Sequence, residues 1–517
     1  MGMVNAAGRE VPNFIAGYGT VKPYMGARYY RGAARTVCLN RQVNRPARQD
    51  KRLDSILEAV RLSGLKDGMT VSFHHHLRNG DRVVVQVMEA IHSLGIRDLH
   101  LAASGLFACQ DALAPMIEDG TITRISVSTF GPGEIAKAIS HGKLKHPAVM
   151  YTHGGRSRAI EAGELHIDVA FIAAPACDCR GNLNGSHGKS ACGCLSYAYA
   201  DAAYADCVVA VTDNLVEYPC VPAEIHEDLV DYVVTVDSLG DPAGIVSGAM
   251  KVTQDPRQLE IAQVTAELLD RAGYLREGMS FQTGIGSISL AVASKVGDIM
   301  RAKGIRGSFG SGGISGYMAD MLEEGLFRSL WDVQCFDLRA VENLRDDPRH
   351  LIMSGSQYAN PENKGCVVDR LDIVILGALE VDTDFNLNVT TGSDGTIRSA
   401  SGGNADTAAG SRISLVVSSL MKKGGRSLVR GRVTTVTTPG ETVDCVVTDY
   451  GIAINPRRMD LLEALRGSGL NLVPIERLHE IALGLGAVEE TPVVGDRIVG
   501  IVEYRDGSVI DVVRQNG

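Results

Sequence analysis

The chain has 517 residues, of which 45% are hydrophobic and 22% charged, and a formal net charge of −10 at pH 7. This length exceeds what one hydrophobic core usually supports, so two globular units are expected. The acidic balance disfavours nucleic acid and anionic membrane surfaces as partners, and no run of 18 apolar residues predicts a membrane span. An anionic ligand would therefore need a cleft in which positive charge is gathered locally.

The hydrophobic pattern predicts an α/β fold with the same order of elements in each half. Residues 1–45, rich in glycine, tyrosine and arginine, are expected to form an extended arm that lies on the body or on a partner. The elements predicted for the first half are a helix at 54–62, a strand at 70–73, a helix at 82–94 and strands at 98–102, 148–151, 169–173 and 208–211. The second half repeats the rhythm with strands at 280–282, 307–309, 373–377 and 415–418. Strand, loop, helix and strand in this order are typical of a parallel sheet.

The chain also contains an internal repeat. Four blocks recur in the same order at offsets of 204 to 210 residues: 65–70 with 275–280, 95–97 with 304–306, 116–120 with 321–325, and 166–171 with 370–375. Repetition in one order indicates a duplicated domain. We therefore predict two tandem open parallel-sheet domains, at 46–252 and 253–517, joined by a linker near 250–256.

The last matching run carries an asymmetry between the two copies. Its aligned polar residues are Asp178 with Asp382, Asn182 with Asn386, and Asn184 with Asn388. Within this run Ala176 corresponds to Glu380. Two copies that share a framework but differ in one carboxylate suggest a single active site at their junction, with unequal contributions from the halves.

Three glycine-dense loops are candidate anion sites. Ligands of open parallel sheets bind at the carboxyl ends of the strands, where backbone amides and helix N-termini can face an anion. The loops at 281–287, 310–316 and 399–406 supply the candidate residues Gly284, Gly286, Gly312, Gly313, Gly402 and Gly403. The alternative is a set of tight strand-to-helix turns without a ligand.

The first half supplies candidate cations for the same cleft. The loop at 73–80, which is the counterpart of 281–287, contains His74, His75 and Arg78, and Arg156 and Lys189 follow later. Three adjacent histidines make a poor metal site because consecutive side chains point in different directions. Binding of an acidic ligand is the preferred interpretation, although a histidine can be structural and an arginine or lysine can be a solvated surface residue.

Cysteine usage indicates a reducing compartment. Eleven cysteines in a chain without a signal-like start predict a cytoplasmic protein. Cys177 and Cys179, and likewise Cys192 and Cys194, are separated by one residue, which is tighter than usual zinc-site spacing. Free thiols near an active-site loop, without a metal, are therefore expected.

Several of these motifs carry a family resemblance. The run 281–289, the loop at 310, Ala378–Asp382 and Ser401–Gly403 resemble the second domain of coenzyme A transferases and acyl-CoA hydrolases. The match is closer still to the citrate lyase alpha subunit family, and it covers essentially the whole chain through the runs 8–12, 67–75, 390–395 and 504–513.

The resemblance implies a transferase that exchanges acetate for citrate on the thiol of a free or carrier-bound coenzyme A derivative. The acyl donor would be a coenzyme A thioester or the carrier's dephospho-CoA-derived prosthetic group, with no metal or redox cofactor bound by this chain. Implied partners are a beta (lyase) subunit, a gamma (acyl carrier) subunit and further copies of the chain. Two alternatives remain: a general coenzyme A transferase or hydrolase, and a non-catalytic core that only docks the carrier.

The role of Glu380 remains open at this point. In the related coenzyme A transferases the glutamate of this motif is the nucleophile, so the resemblance makes Glu380 the candidate catalytic residue. Citrate lyase alpha subunits are thought to act through a ternary complex, in which a citrate carboxylate attacks the acetyl thioester and the freed thiolate then attacks the citryl carbonyl of the mixed anhydride. We favour direct attack, with Glu380 as an orienting or ion-paired carboxylate.

Overall fold

A computed structural model describes residues 2–29, 50–246 and 252–516. The predicted arm from residue 30 onward and the first residues of the predicted linker lie outside these ranges. Residues 2–29 form two antiparallel hairpins, made by β1 (Gly2–Val4) with β2 (Glu10–Pro12) and by β3 (Phe14–Ile15) with β4 (Gly19–Thr20). They pack on the C-terminal segment, where Val11, Ile15 and Val21 share a small core with Ile501 and Val509.

The first half alternates strands and helices. Its strands are β5 (Arg52–Leu53), β6 (Thr70–Phe73), β7 (Leu99–Ala103), β8 (Gly105–Leu106), β9 (Ile122–Val127), β10 (Thr129–Phe130), β11 (Ala148–Met150), β12 (Val169–Ala173), β13 (Ala176–Asp178), β14 (Leu183–Asn184), β15 (Cys207–Thr212), β16 (Leu215–Val216) and β17 (Tyr232–Thr235). Its helices are α1 (Ile56–Ser63), α2 (Val83–Ser93), α3 (Ala114–Glu118), α4 (Glu134–Ser140), α5 (His153–Glu161) and α6 (Ala198–Tyr204).

The second half follows the same alternation. Its strands are β18 (Ser280–Thr283), β19 (Gly307–Ile314), β20 (Phe327–Cys335), β21 (His350–Ile352), β22 (Ile373–Leu376), β23 (Glu380–Asp382), β24 (Leu387–Asn388), β25 (Ile413–Val417), β26 (Val429–Arg430), β27 (Cys445–Thr448), β28 (Gly451–Ile454), β29 (Val494–Glu503) and β30 (Val509–Asn516). Its helices are α7 (Pro256–Arg271), α8 (Ser287–Lys303), α9 (Gly316–Glu323), α10 (Leu338–Asp346), α11 (Gly355–Ala359), α12 (Asn404–Gly410), α13 (Met459–Ala464) and α14 (Ile475–Gly484).

Two large sheets dominate, and the strand order identifies the fold as α/β. The ten-stranded sheet has the order β30-β29-β11-β9-β7-β6-β12-β15-β17-β5, and the eight-stranded sheet has the order β21-β20-β19-β18-β22-β25-β27-β28. Neighbouring strands are parallel except for β29 with β30 and β27 with β28. A three-stranded sheet accompanies each, β14-β13-β16 in the first half and β24-β23-β26 in the second.

The local sequence explains these elements. Strands β6, β12 and β15 are buried almost throughout, as expected for parallel strands covered on both faces, and the predicted strands 70–73 and 169–173 are confirmed. Helix α1 begins after Ser55, whose side chain accepts a hydrogen bond from the Glu58 N–H, and ends at Gly64 in the left-handed region. None of the helices in the described ranges is both long and apolar enough to cross a membrane.

Two features differ from the sequence prediction. The C-terminal hairpin β29–β30, which we assigned to the second domain at 253–517, extends the first sheet, because β29 pairs in parallel with the edge strand β11. The glycine run that we predicted as a loop from Gly310 is largely strand: β19 continues to Ile314, with a bulge between Gly312 and Gly313. Pairing with β20 provides hydrogen-bond partners for the backbone of this segment. The spacing of the glycines in the sequence could not reveal that pairing.

A helix of each half and a backbone bridge contribute to the contact between the two halves. Helix α5 packs on α11, and Gly154 permits this approach because a Cβ there would lie 2.0 Å from the carbonyl oxygen of Ala359. Thr152 forms a parallel bridge with Gly402, and the N–H of His153 donates to the carbonyl oxygen of Gly402 at 2.8 Å. The loops of both halves are therefore held against each other.

Candidate functional site

A cavity of about 600 Å³ lies between the halves, where the carboxyl ends of β6, β18 and β22 meet. The first half contributes His75, Arg78, Thr129, Pro132, His153 and Tyr197. The second half contributes side chains and glycine backbone, including Gln282, Gly284, Ile285, Gly313, Gln334, Phe336, Tyr358, Arg398, Gly402, Gly403 and Asn404. The predicted histidine loop and the predicted glycine loops thus border one cavity.

The charge of this cavity is opposite to that of the whole chain. Among the described residues that line it are two arginines, Arg78 and Arg398, and no aspartate or glutamate. Arg398 is paired with Asp394 at 2.7 Å and its side chain is 42% exposed. In a protein of net charge −10, a cavity with cations and without carboxylates is suited to an anionic ligand.

Arg78 is the cation best placed for such a ligand. Its guanidinium lies over the rings of Phe107 and Phe336, at 5.2 and 5.4 Å from their centroids, and has no carboxylate partner among the described residues. Burial lowers the pKa of Arg78 to about 10, so the guanidinium stays charged at neutral pH. A charged group that is half-buried without an acid partner gains from binding an anion.

A cluster of three rings, His75, His153 and Tyr197, forms another part of the wall. His75 lies parallel to Tyr197 at a centroid distance of 4.9 Å and to His153 at 5.9 Å. Burial, together with the charge of Arg78, lowers the pKa of both histidines, to about 3 for His153. Both rings are therefore neutral at physiological pH and can offer or accept hydrogen bonds without adding charge.

The opposite wall is polar but uncharged. Gln282 donates a 2.8 Å hydrogen bond to the hydroxyl of Tyr358, while its Oε1 is buried without a partner in the described structure. Gln334 donates from Nε2 to the carbonyl oxygen of His75 at 3.1 Å, which ties the histidine loop to the second half. Gly403 lies beside Tyr358, where a Cβ would come within 2.7 Å of the hydroxyl.

Glu380 does not line this cavity. It is 2% exposed, and its carboxylate accepts hydrogen bonds from Asn388 Nδ2 and Ser393 Oγ at 2.8 Å, from the Thr434 N–H at 2.9 Å, and from Arg430 Nη1. Burial alone would raise the pKa of Glu380, but the Thr434 amide, Asn388 and Arg430 together hold it below its usual value. The group is thus an ionised carboxylate whose oxygens are both engaged.

Arg430 and Thr434, the partners of Glu380, line a separate cavity. It measures about 460 Å³, and the N-terminal arm and the C-terminal strand also contribute to it. Its lining includes four arginines, Arg9, Arg430, Arg432 and Arg514, and three carboxylates, Glu10, Glu490 and Asp511. Arg9 is paired with Asp511 at 2.7 Å and Arg430 with Glu380, so two of the arginines already have a carboxylate partner. Unlike the cavity that contains Arg78, this one mixes cations with carboxylates.

Two predicted cations lie elsewhere. Arg156 is 2% exposed and forms a bidentate pair with Asp201 at 2.8 Å, with a further hydrogen bond to Ser72, so its charge is neutralised inside the first half. Lys189 lies at the surface and donates to the carbonyl oxygen of Asp237 at 2.8 Å. Neither borders the cavity, because the side chain of each finds a partner that is distant in sequence.

Three more predicted residues lie behind the cavity or beside it. His74 is buried near Asp201 and stacks on His76 at 5.5 Å. Gly312 supports the wall, since a Cβ there would lie 2.5 Å from Gln282 Nε2, and Gly286 precedes helix α8 without lining the cavity. His75, Arg78, Gly284, Gly313, Gly402 and Gly403 are the predicted site residues that do line it.

Several lining residues were absent from the predicted site. Tyr197, Phe336 and Tyr358 carry no local signal, since single aromatics outside a repeat look like ordinary core residues. Gln282 could have been predicted from the sequence, because it stands in the glycine loop whose counterpart in the first half is His74–Gly80. His153 could also have been predicted, because it is the first residue of the His-Gly-Gly-Arg segment that follows β11.

The two closely spaced cysteine pairs and the candidate metal ligands are not part of the described cavity lining. Cys177, Cys179, Cys192 and Cys194 do not bring three ligand atoms together in the described structure. The one described group with metal-like spacing is His166, Asp168 and Asp206, on the surface. These residues precede β12 and β15, at the edge of the sheet opposite to the cavity.

Comparison with known proteins gives one consistent family. Residues 49–516 match the family model for "Citrate lyase, alpha subunit (CitF)". The citrate lyase alpha chain of Klebsiella pneumoniae is 47% identical over 90% of this chain and 92% of its own length, and that of Escherichia coli strain K12 is 48% identical over 91% and 92%.

Solved structures agree with this assignment. A citrate lyase alpha subunit from Streptococcus mutans, solved in complex with citrate, superposes with a TM-score of 0.93 at 44% identity and covers 99% of this chain and 100% of its own. A malonate decarboxylase alpha subunit from Acinetobacter baumannii shares the fold, with a TM-score of 0.62 at 15% identity over 85% of this chain and 89% of its own. The chain belongs to the family of citrate lyase alpha subunits.

Proposed function

We propose that this chain is the transferase subunit of a citrate lyase, which exchanges acetate for citrate on a coenzyme A thiol and produces acetate and a citryl thioester. The observation that carries the proposal is the cavity between the halves, where Arg78 has no carboxylate partner among the described residues and the described lining contains no aspartate or glutamate. A citrate trianion must be neutralised and desolvated before one of its carboxylates can attack, and such a cavity serves that purpose. The citrate found in the Streptococcus mutans relative supports the choice of substrate.

The reaction follows from the chemistry of the two substrates. A citrate carboxylate oxygen attacks the acetyl carbonyl carbon, the tetrahedral oxyanion collapses, and the thiolate leaves with the electron pair of the C–S bond. The thiolate then attacks the citryl carbonyl of the mixed anhydride, and acetate leaves with the bridging oxygen. Arg78 would hold a citrate carboxylate, while Gly284, Gly402 and Gly403 allow the thioester to approach the backbone.

The environment of Glu380 supports direct attack over a glutamyl intermediate. To act as a nucleophile, this carboxylate would have to leave Arg430, Asn388, Ser393 and the Thr434 amide. It would also have to enter a cavity that it does not line. A general coenzyme A transferase or hydrolase that uses Glu380 is therefore the weaker candidate.

We further propose that the fold is a tandem duplication of coenzyme A transferase type. The order β11-β9-β7-β6-β12-β15-β17 in the first sheet corresponds to β21-β20-β19-β18-β22-β25-β27 in the second. The small sheets correspond as well, since β13 and β23 each pair with one antiparallel and one parallel strand. This matches the internal sequence repeat, and one cavity then uses a loop from each copy.

The name of the family implies a complex of several subunits. We propose a beta subunit that cleaves the citryl thioester, a gamma subunit that carries the acyl group on a dephospho-CoA-derived arm, and further copies of this chain, all in the cytoplasm. The acyl group would arrive on the arm or on free coenzyme A, so the chain itself would need no resident cofactor.

One assay tests the proposal. The purified chain is incubated with acetyl-CoA and citrate, or with another di- or tricarboxylate, and citryl-CoA and acetate are quantified. We expect exchange that depends on citrate and is weakened in Arg78→Gln but not in Arg398→Gln. Acetate release without citrate would favour a hydrolase, and a chain inactive with both free coenzyme A and a loaded carrier would indicate a docking subunit.

A further inference from the structure

His75 is held in the cavity wall by contacts on several sides. Its ring stacks on Tyr197 and approaches Phe107 at 5.9 Å. Gly105 makes room for it, since a Cβ at Gly105 would lie 2.9 Å from Cγ of His75. His75 is 3% exposed, and the orientation of its ring is therefore fixed by packing.

The two ring nitrogens have different surroundings. Nδ1 lies 2.7 Å from Oγ of Ser104, a fully buried residue at the end of β7. Nε2, on the other side of the ring from Ser104, has no hydrogen bond within the described structure, and His75 is one of the residues that line the cavity. The chemistry that His75 can perform depends on which nitrogen carries the proton.

The hydrogen bonds around Ser104 assign that proton. Ser104 Oγ already accepts a 3.0 Å hydrogen bond from the main-chain N–H of His75. In the described structure, the His75 ring nitrogen is the one acceptor within reach of the Ser104 hydroxyl hydrogen. Donation from the hydroxyl to Nδ1 satisfies this hydrogen, and a neutral ring then carries its proton on Nε2.

We propose that Ser104 is a positioning residue that holds His75 as the Nε2–H tautomer, so that a neutral imidazole donates a hydrogen bond to the carbonyl oxygen of the bound acyl thioester. The role of His75 rests on the proposed transferase function, whereas the tautomer does not. In the tetrahedral intermediate this oxygen becomes an anion, and a donor already aimed at it stabilises the transition state more than the ground state.

The surroundings keep the ring in its neutral form. Burial lowers the pKa of His75, and the neighbouring His153 and the Arg78 guanidinium lower it further. A neutral ring keeps one fixed donor over the physiological pH range, and it does not compete with Arg78 for the citrate carboxylates. In this proposal Arg78 supplies positive charge to the citrate carboxylates, and His75 supplies a directed N–H to the thioester carbonyl oxygen.

The test combines a spectroscopic readout with turnover. Histidine labelled with ¹⁵N in the full chain is observed by NMR, and the His75 signals are identified by their loss in His75→Gln. We expect Nε2 to be protonated in the wild-type protein and the Nδ1–H tautomer to appear in Ser104→Ala. A wild-type ring protonated on Nδ1 would overturn the proposal.

Kinetics then separate positioning from folding. Removal of the donor in His75→Leu should lower kcat by about 10²–10³-fold. Ser104→Ala should lower kcat by about 10-fold, the order expected for the loss of one neutral hydrogen bond, with a smaller change in KM for citrate. The matched control is Ser126→Ala, which removes a buried hydroxyl bonded to His100 at 2.7 Å outside the cavity and should leave turnover unchanged.

A double-variant cycle covers the case in which Ser104→Ala perturbs the fold. The side chain of His75→Gln offers an N–H donor that does not depend on Ser104, so adding Ser104→Ala to it should cost no further activity. Equal losses in both backgrounds would show a purely structural role and overturn the proposal. An Nε2–H tautomer in a chain without citrate-dependent exchange would refute the proposed function and the role of His75 in it, and leave the tautomer assignment intact.

Discussion

Asn388 donates a 2.8 Å hydrogen bond to Glu380 across the β23–β24 pair, in which the two residues stand directly opposite each other. In the first half Asn184 stands opposite Ala176 in the same way, and its side chain donates instead to the carbonyl oxygen of Pro222. The carboxylate therefore stands in the second half at a position where the first half has an alanine. Its partners, Arg430 above all, belong to the second half, which marks it as part of that half's internal structure.

Replacement of Glu380 should therefore affect stability more than chemistry. In Glu380→Gln the buried Arg430 loses its counter-charge, and we expect a loss of stability on the order of 3 kcal/mol. The double variant Glu380→Gln with Arg430→Met should recover part of this loss, because the unpaired charge is gone. Urea unfolding and citrate-dependent exchange are measured on both. An inactive double variant that is as stable as the wild type would point to a catalytic Glu380.

Arg78 should control citrate affinity. Loss of one charge-assisted hydrogen bond without another carboxylate to compensate should raise KM for citrate by about 10–100-fold in Arg78→Gln. Arg398→Gln, which removes the half-exposed cavity arginine that is already paired with Asp394, should change KM by less than about 3-fold. Initial rates over a range of citrate concentrations give KM for the wild type and for both variants. Equal effects of the two substitutions would contradict the assignment of Arg78.

Gly284 offers a steric test of the cavity. A Cβ at this position would meet its closest neighbour, the carbonyl oxygen of Ile375, at 3.4 Å, so Gly284→Ala should fold normally, whereas Gly284→Val should fill the space reserved for the thioester. We expect Gly284→Val to lose at least about 10²-fold in kcat/KM for the acetyl donor. Gly402 is less suitable, because its positive φ of 55° adds backbone strain to any substitution. Unchanged kinetics in a folded Gly284→Val would place the thioester elsewhere.

His76 should make stability sensitive to acid. It is 2% exposed, and burial together with the neighbouring His74 holds its pKa well below the usual value. The stability that comes from a neutral ring is present above the unfolded pKa of about 6.5 and is lost as pH falls toward the folded pKa, by about 1 kcal/mol between pH 6.5 and 5.5. The urea midpoint of the wild type should fall more steeply over this range than that of His76→Leu. The control substitution His187→Asn, at an exposed position, should leave the change of the urea midpoint with pH as it is in the wild type.

The sequence predicted the repeating framework because local patterns encode it. The buried runs 70–73 and 169–173, and the helix at 54–62, appear within one or two residues of their predicted bounds. The pairing of β29 with β11 could not be predicted, because a strand pattern does not specify which sheet edge the strand will join.

The site was predictable only in part. Glycine loops and the His75–Arg78 segment stand at strand ends, where a parallel sheet brings them together. Arg156 was predicted to belong to the same cleft. Its charge is instead neutralised by Asp201, which lies on another helix. The sequence around Arg156 does not indicate this pairing. The rings of Tyr197 and Tyr358 reach the cavity through tertiary packing alone.

The most direct test of the account follows one oxygen atom through a single turnover. Unlabelled enzyme in excess is mixed with acetyl-CoA and citrate labelled with ¹⁸O in its carboxylates, and the acetate is analysed by mass spectrometry. Direct attack predicts that the acetate of the first turnover carries one ¹⁸O, because the bridging oxygen of the mixed anhydride comes from citrate. Unlabelled acetate together with ¹⁸O in the peptide that contains Glu380 would show transfer through a glutamyl intermediate and would contradict the account.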